Sequence, residues 1–211
     1  MTDAVDAAVE RADSADPAQA PAYAPWSGHV PAPEHRTPVT TYRLQLSEDL
    51  TFADAKALVP YLADLGVTDL YLSPILTAAP GSTHGYDVVD HRRVSAVMGG
   101  RDQLEALAAE ADAHGMGVVV DIVPNHMAVP TPGWHNLPLW SVLREGPDSP
   151  YADWFDLSLD EPILMPILGK RIGAVLADEE LTLEQMVVPG QEELGEQWVL
   201  RYYDHAFPVA Q

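Results

Sequence analysis

Apolar and polar positions recur along this chain with two different periods, and the switches between them outline its elements. Thr40 to Leu46 alternates in steps of two with β-favouring residues at its start, which predicts a short strand. Phe52, Ala55, Leu58, Val59, Leu62 and Leu65 then recur at helical spacing behind Thr51, a capping residue, with Asp54 in the first turn and Gly66 at the end. Pro60 falls inside that stretch and predicts a kink or a helix start close to it. Val67 to Leu72 predicts a second strand, stopped by Ser73-Pro74. Leu104, Leu107, Ala108 and Ala111 form a second helical face between Gly99-Gly100 and Gly115. Gly117 to Val123 is the third predicted strand, its Val118-Val119-Val120 run apolar enough for a buried parallel strand. Strands alternating with helices of this length predict right-handed βαβ units on a parallel sheet, an α/β fold.

The rhythm breaks on both sides of this block. Residues 1–38 are rich in alanine, aspartate and proline, with Pro17, Pro21, Pro25, Pro31, Pro33 and Pro38 interrupting any helix, and read as a flexible acidic arm. From Met127 onward prolines punctuate short apolar runs, so 127–211 reads as an inserted loop subdomain and not as a further βα unit. Trp134, Trp140, Trp154 and Trp198 lie in it. Each can pack the subdomain or offer its face to a sugar, and packing is the commoner fate of a large aromatic.

Charge narrows the function classes. The 32 acidic against 11 basic residues give a net charge of -21, which repels nucleic acid and anionic membrane surfaces. There is no cysteine, hence no disulfide framework and no thiolate metal site. Residues 1–20 carry acidic side chains with no basic n-region or apolar h-region, so no signal peptide is read there, and no apolar run is long enough to cross a bilayer. The expectation is a cytoplasmic protein with no nucleic-acid or membrane partner.

Two polar segments stand at predicted strand ends. Thr83-His84-Gly85-Tyr86-Asp87-Val88-Val89-Asp90 follows the second strand, and Asp121-Ile122-Val123-Pro124-Asn125-His126 begins 31 residues later, as the third strand runs out. Parallel barrels keep their working groups at the C-terminal ends of strands, which makes these segments site candidates. From spacing alone Tyr86 also reads as a tyrosine packed between loop and sheet, and His126 as a loop histidine satisfied by backbone. His84, His91 and His126 have no recognised ligand spacing, so neither metal nor cofactor is expected.

Taken in order, Tyr42-Arg43-Leu44-Gln45-Leu46, Ser73-Pro74-Ile75-Leu76, Pro80-Gly81-Ser82-Thr83-His84-Gly85-Tyr86-Asp87, Asp121 to Met127 and Arg201-Tyr202-Tyr203-Asp204-His205 resemble the N-terminal part of the maltooligosyltrehalose synthases, a branch of the α-amylase superfamily. Asp-x-Val-x-Asn-His is characteristic of the superfamily, and the Pro-Gly-Ser-x-His lead-in to Gly-Tyr-Asp narrows the likeness to this branch. Where that branch often has Asn-Pro-Glu-Leu-Gly-Gly, this chain reads Ser95-Ala96-Val97-Met98-Gly99-Gly100, keeping the glycines.

The resemblance implies a (β/α)8 TIM barrel with an insertion after strand three. Residues 39–126 would then hold the first three βα units and 127–211 part of the insertion. It implies that Tyr86 stacks under the glucose at the cleavage subsite, that His126 hydrogen-bonds hydroxyls of that sugar, and that His84 lines the same pocket. Asp87, Asp121 and Asn125 are expected to hold these groups in place. The implied reaction is an intramolecular transglycosylation, converting the reducing-end α-1,4 linkage of a maltooligosaccharide or glycogen-derived glucan to α,α-1,1 in trehalose biosynthesis. A maltooligosyltrehalose trehalohydrolase is the implied pathway partner. The superfamily takes its catalytic carboxylates from the ends of strands four, five and seven, and the Gly-x-Arg-x-Asp nucleophile motif is absent here. No catalytic residue is therefore assigned, acidic runs such as Asp178-Glu179-Glu180 are read as solvated faces, and the 211 residues alone are expected to be inactive and poorly folded. Two other readings stand beside this one: part of an amylase-type α-glucan hydrolase or trehalohydrolase, and a non-catalytic glucan-binding piece.

Overall fold

The computed structural model describes residues 37–210. Apart from its last two residues, the arm expected over 1–38 lies outside the described residues. In chain order the elements are β1 (Thr41–Leu44), α1 (Phe52–Asp64), β2 (Asp69–Leu72), β3 (Leu76–Ala78), β4 (Val88–Val94), α2 (Gly100–Ala113), β5 (Gly117–Val120), α3 (Leu137–Glu145), α4 (Ile172–Ala177), β6 (Leu181–Val187), β7 (Glu196–Tyr202) and β8 (His205–Pro208). Short 3-10 turns join them at Gly133–His135, Gly146–Asp148, Ala152–Trp154 and Glu192–Leu194. The described chain divides into two compact units, one made of 37–75 and 93–122, the other of 76–92 and 123–210.

The first unit is α/β. Its sheet has the order β1-β2-β5, all parallel, with Thr41 opposite Asp69 and Asp69 opposite Gly117 at the start of the register. Helices α1 and α2 pack against each other. Most apolar positions read from the sequence become the core, with Leu44, Leu46, Phe52, Ala55, Val59, Leu62, Leu70, Leu72, Leu107 and Ala111 buried together with Met98 and Met116, whereas Leu58 and Leu65 of the first helical face are exposed. Backbone ends are tied by side chains. Thr68 Oγ1 accepts from the Val39 and Thr40 amides, each at 3.0 Å, and Ser73 Oγ accepts from the Leu46 amide at 2.8 Å.

Three local expectations are corrected here. Pro60 does not start α1: it is exposed inside the helix, which begins at Phe52 behind the Thr51 cap and runs through to Asp64. Ala108 is exposed, so the buried stripe of α2 narrows to Leu107 and Ala111. The third strand ends at Val120 and is only partly covered, with Val119 exposed, since β5 pairs with β2 on one side alone among the described residues.

The second unit holds structure the apolar pattern did not announce. Within the loop of the first motif, β3 and β4 form a two-stranded sheet. Beyond residue 180, β6, β7 and β8 form an antiparallel meander. Helix α3 lays the fully buried Trp140 against Val188, Val199 and Ala206, with Trp134 and Met186 packed on the same cluster. Asn136, itself buried, caps α3 by accepting from the Leu139 amide at 3.0 Å while its Nδ2 donates to the Ala128 carbonyl at 2.8 Å. Arg144 is buried, and its terminal nitrogens donate to Gln191 at 3.1 Å, Gln197 at 2.7 Å and Glu145, while its Nε has no hydrogen-bond partner among the described residues. The acidic run at 178–180 is more than a solvated face: Asp178 and Glu180 both accept from Lys170, and Tyr203 donates to Glu180 at 2.9 Å.

Two tests follow from this packing. A Cβ at Gly133 would lie 2.5 Å from the Ala206 carbonyl oxygen, a backbone atom that cannot swing away. Gly133→Ala is therefore expected to cost about 1–3 kcal/mol in urea unfolding, with Gly173→Ala, where a Cβ meets nothing, as the mild control. At the start of α1, Thr51 and Asp54 form a reciprocal capping box, and the hydrogen bond from Thr51 holds the Asp54 carboxyl below its ordinary 3.8. A depressed carboxyl stabilises the fold above its unfolded value and loses that contribution as pH falls through the lowered one. Stability measured from pH 5 downward should thus fall less steeply below 3.8 in Thr51→Ala than in the parent chain.

Candidate functional site

The two motif segments meet within the second unit. The Ala128 amide donates to the Val88 carbonyl at 2.8 Å, the His91 Nε2–H to the Val123 carbonyl at 2.9 Å, and the His126 Nε2–H to the Tyr86 carbonyl at 3.2 Å. A carbonyl can only accept, so these bonds fix the donor nitrogen of each ring. For His126 the consequence is functional. Its Nε2 is held by backbone, and its exposed ring offers Nδ1 toward any ligand.

Tyr86 sits in the turn that leads into β4, 37% exposed, so its ring is neither buried between layers nor fully solvated. The His84 ring stacks beside it, centroids 6.0 Å apart and planes 27° from parallel. The turn is fastened from within. The Tyr86 amide donates to His84 Nδ1 at 3.0 Å, the Gly85 amide donates to Ser82 Oγ at 3.1 Å, and Ser82 donates to Asp87 Oδ1. Gly85 takes φ 76°, the left-handed region where a side chain is strained, and this lets the chain double back so that Tyr86 faces outward. An Nδ1 that accepts places the proton of a neutral His84 ring on Nε2. Asp87 Oδ1 lies 3.8 Å from His84 Nδ1, and the Asp87 carbonyl accepts from the Ala79 amide at 2.9 Å.

The predicted site residues do not all share one environment. Tyr86, His84, Asp87 and His126 belong to one bonded cluster. Asn125 is exposed and takes no side-chain hydrogen bond among the described residues. Asp121, in the first unit, accepts from the Tyr71 hydroxyl at 3.1 Å and lies 3.6 Å from the Arg43 guanidinium, which itself stacks 5.3 Å over the Tyr71 ring and donates to Gln45 at 2.7 Å. Arg43 and Tyr71 are register partners on β1 and β2, and Tyr71 pairs with Val119 on β5, so three adjacent strands aim one polar triad at their C-terminal side. Sequence reading missed Arg43, Tyr71, Ser82 and His91 as site members. The available signal was the odd polar position in an otherwise apolar strand, Arg43 and Tyr71, at the same depth in consecutive strands.

What this arrangement can do is hold a neutral polyhydroxyl ligand. It offers two adjacent ring faces, the His84 imidazole and one imidazole nitrogen at His126. Among the described residues no group of three His, Asp or Glu side chains could hold a metal ion, and no helix is long and apolar enough to cross a membrane.

Known proteins share both the sequence and the fold of this chain. The alpha-amylase family model, described as the alpha amylase catalytic domain, matches residues 56–181. A Mycobacterium tuberculosis protein that carries the provisional name maltooligosyl trehalose synthase is 50% identical over 139 residues, 62% of this chain and 18% of its own length. A cyclomaltodextrinase of Geobacillus thermopakistaniensis is 33% identical over 149 residues, 70% of this chain and 22% of the relative. The structure of maltooligosyltrehalose synthase from Arthrobacter ramosus superimposes with a TM-score of 0.70 at 43% identity, covering 82% of this chain and 21% of that one. The chain thus spans about a fifth of the length of the relatives it matches. With more than half of its residues under that model, and both motif segments among them, the chain belongs to the alpha-amylase family.

Proposed function

We propose that this chain serves a maltooligosyltrehalose synthase, an intramolecular transferase, and supplies the sugar-holding wall of its active site. The observation that carries the reading is the bonded pair Tyr86–His126, an exposed aromatic and an imidazole fixed to one another through the Tyr86 carbonyl, inside a segment shared with proteins of that name. Tyr86 gives the C–H face of the terminal glucose an aromatic platform, His126 Nδ1 and His84 Nε2 meet its hydroxyls, and Asp87 keeps the turn in shape. Asp121, with Arg43 and Tyr71, and Asn125 are assigned supporting positions. The parallel order β1-β2-β5 supports reading these as the first three strands of a (β/α)8 barrel, with 127–211 inserted after the third.

The chemistry then divides between this chain and the rest of such an enzyme. In a retaining mechanism a carboxylate forms a glycosyl-enzyme while a carboxylic acid protonates the leaving oxygen. The anomeric hydroxyl of the released glucose attacks the same face, giving the α,α-1,1 linkage. Here the residues of this chain hold that glucose and exclude water, and the acid and nucleophile come from the four fifths of such an enzyme that this sequence does not cover. The substrate is a maltooligosaccharide or a glycogen-derived α-1,4-glucan, the setting cytoplasmic, and the product passes to a trehalohydrolase. No metal or cofactor enters the scheme.

In the complete protein, Tyr86→Ala should lower kcat/KM for isomerisation of maltopentaose by roughly 10- to 100-fold, the size expected for losing one stacking platform. His126→Ala should act in the same direction, and because both side chains are assigned to one sugar ring the double variant should lose less than the product of the single effects. The 211 residues alone should leave maltopentaose unchanged. Product formed by the purified chain, or an unaffected Tyr86→Ala enzyme, would overturn the assignment.

A further inference from the structure

The geometry points to a second carbohydrate-binding surface, a groove in the second unit where an α-1,4-glucan segment lies against Trp154. The inference takes its ligand class from the α-glucan reading above, and its residues lie outside the site described there.

Of the four tryptophans in the C-terminal half, Trp140 is buried and Trp134 packs against it with centroids 6.0 Å apart, which absorbs both into the core. Trp198 is exposed but borders a cavity of only about 90 Å³, whereas Trp154 faces a larger opening. It is 44% exposed and lines an open groove of about 600 Å³ with Phe155, Asp153, Asp156 and Asp160. That volume lies within the range of small-ligand sites, roughly 300–1,000 Å³.

The ring is fixed before any ligand arrives. Arg92 lies 5.6 Å over the Trp154 ring and equally 5.6 Å over the Tyr151 ring, and Tyr151 meets Trp154 edge to face at 5.1 Å and 80°. Arg92 is itself anchored on β4 by Asp90, Nε to Oδ1 at 3.0 Å and a terminal nitrogen to Oδ2 at 3.3 Å, and it donates to the Tyr151 hydroxyl at 3.3 Å. An exposed aromatic clamped in this way loses little side-chain freedom on binding, which is what a weak, face-stacking ligand requires.

The rim selects the ligand. Asp153, Asp156 and Asp160 take no side-chain hydrogen bond among the described residues, so each carboxylate can accept from hydroxyls. Carboxylates repel nucleic acids and phosphorylated ligands. A metal ion does not fit, since no three His, Asp or Glu side chains among the described residues could hold one, and Arg92 already stands over the π system of Trp154 where an organic cation would stack. A neutral, polyhydroxylated ring with an apolar C–H face meets all three conditions, and a chain of such rings fits a groove open at its side.

The test measures binding of maltoheptaose to the full chain by titration calorimetry, with tetramethylammonium as competitor. Trp154→Ala should raise Kd about tenfold, Trp154→Phe should stay within about twofold of the parent, and tetramethylammonium should not displace the sugar. If Trp154→Ala loses its fold by circular dichroism, the double change Asp156→Asn and Asp160→Asn should weaken binding severalfold through poorer acceptance of hydroxyl hydrogens. Unchanged affinity in Trp154→Ala, displacement by tetramethylammonium, or no binding by the parent chain would each overturn the inference. Loss of affinity in Tyr86→Ala alone would also overturn it, while leaving the active-site reading intact. Isomerisation of maltopentaose by the complete protein reports on that reading separately.

Discussion

The candidate site depends on the fastening of two loops that are far apart in sequence. Val88, His91 and Tyr86 on one side are bonded to Ala128, Val123 and His126 on the other. Each bond joins a backbone group to a ring nitrogen or to another backbone group. A hydrogen bond contributes only about 0.5–1.5 kcal/mol net, but a lost partner leaves a polar group needing a new one, so three bonds in one place set position more than they set stability. Asn136 extends the chain of support by capping α3 while holding the Ala128 carbonyl. The helix that buries Trp140 therefore also fixes the segment that carries His126.

This dependence explains the mixture of soft and hard parts in the second unit. The core around Trp140 is small, with Val188, Val199 and Ala206 buried against it, and is joined by a buried arginine whose terminal nitrogens are held by two glutamines and a neighbouring glutamate. A buried guanidinium left without partners is costly, so Arg144 fixes which faces of α3, β7 and the Gln191 turn can meet. Sugar binding by exposed aromatics is a shallow interaction that rewards rigidity at the contact. Tyr86 obtains it from the Ser82–Asp87 turn, and Trp154 from the Arg92–Asp90 pair.

Much of the first unit was legible in the sequence because its helices show their faces at a 3.6-residue period and its strands are bounded by Ser73-Pro74 and by glycine. Phe52, Ala55, Val59, Leu62, Leu107 and Ala111 went to the core as their spacing required. Pro60 did not mark a helix start, because the Thr51–Asp54 capping box begins α1 upstream and the helix carries the exposed proline within it. The meander was hidden for a related reason. On β6 and β7 the apolar residues Leu183, Val187 and Trp198 are exposed, while Gln197 is buried beside Arg144, so the alternation that marks a strand is inverted by a buried polar network. Among site residues, Tyr86 and His126 were readable from motif order and their contact confirms only that they meet. Arg43 and Tyr71 were not readable, since their partnership with Asp121 arises from strand register, which sequence alone does not state.

The account holds that the sugar held by Tyr86 and His126 is released and recaptured without water taking its place. Following maltopentaose conversion by the complete protein, with reducing ends and free glucose counted in the same sample, tests this most directly. Reducing ends should disappear while little glucose is set free, and the anomeric proton of an α,α-1,1 linkage should grow in proportion. Reducing ends that increase would make the protein a hydrolase and contradict the account.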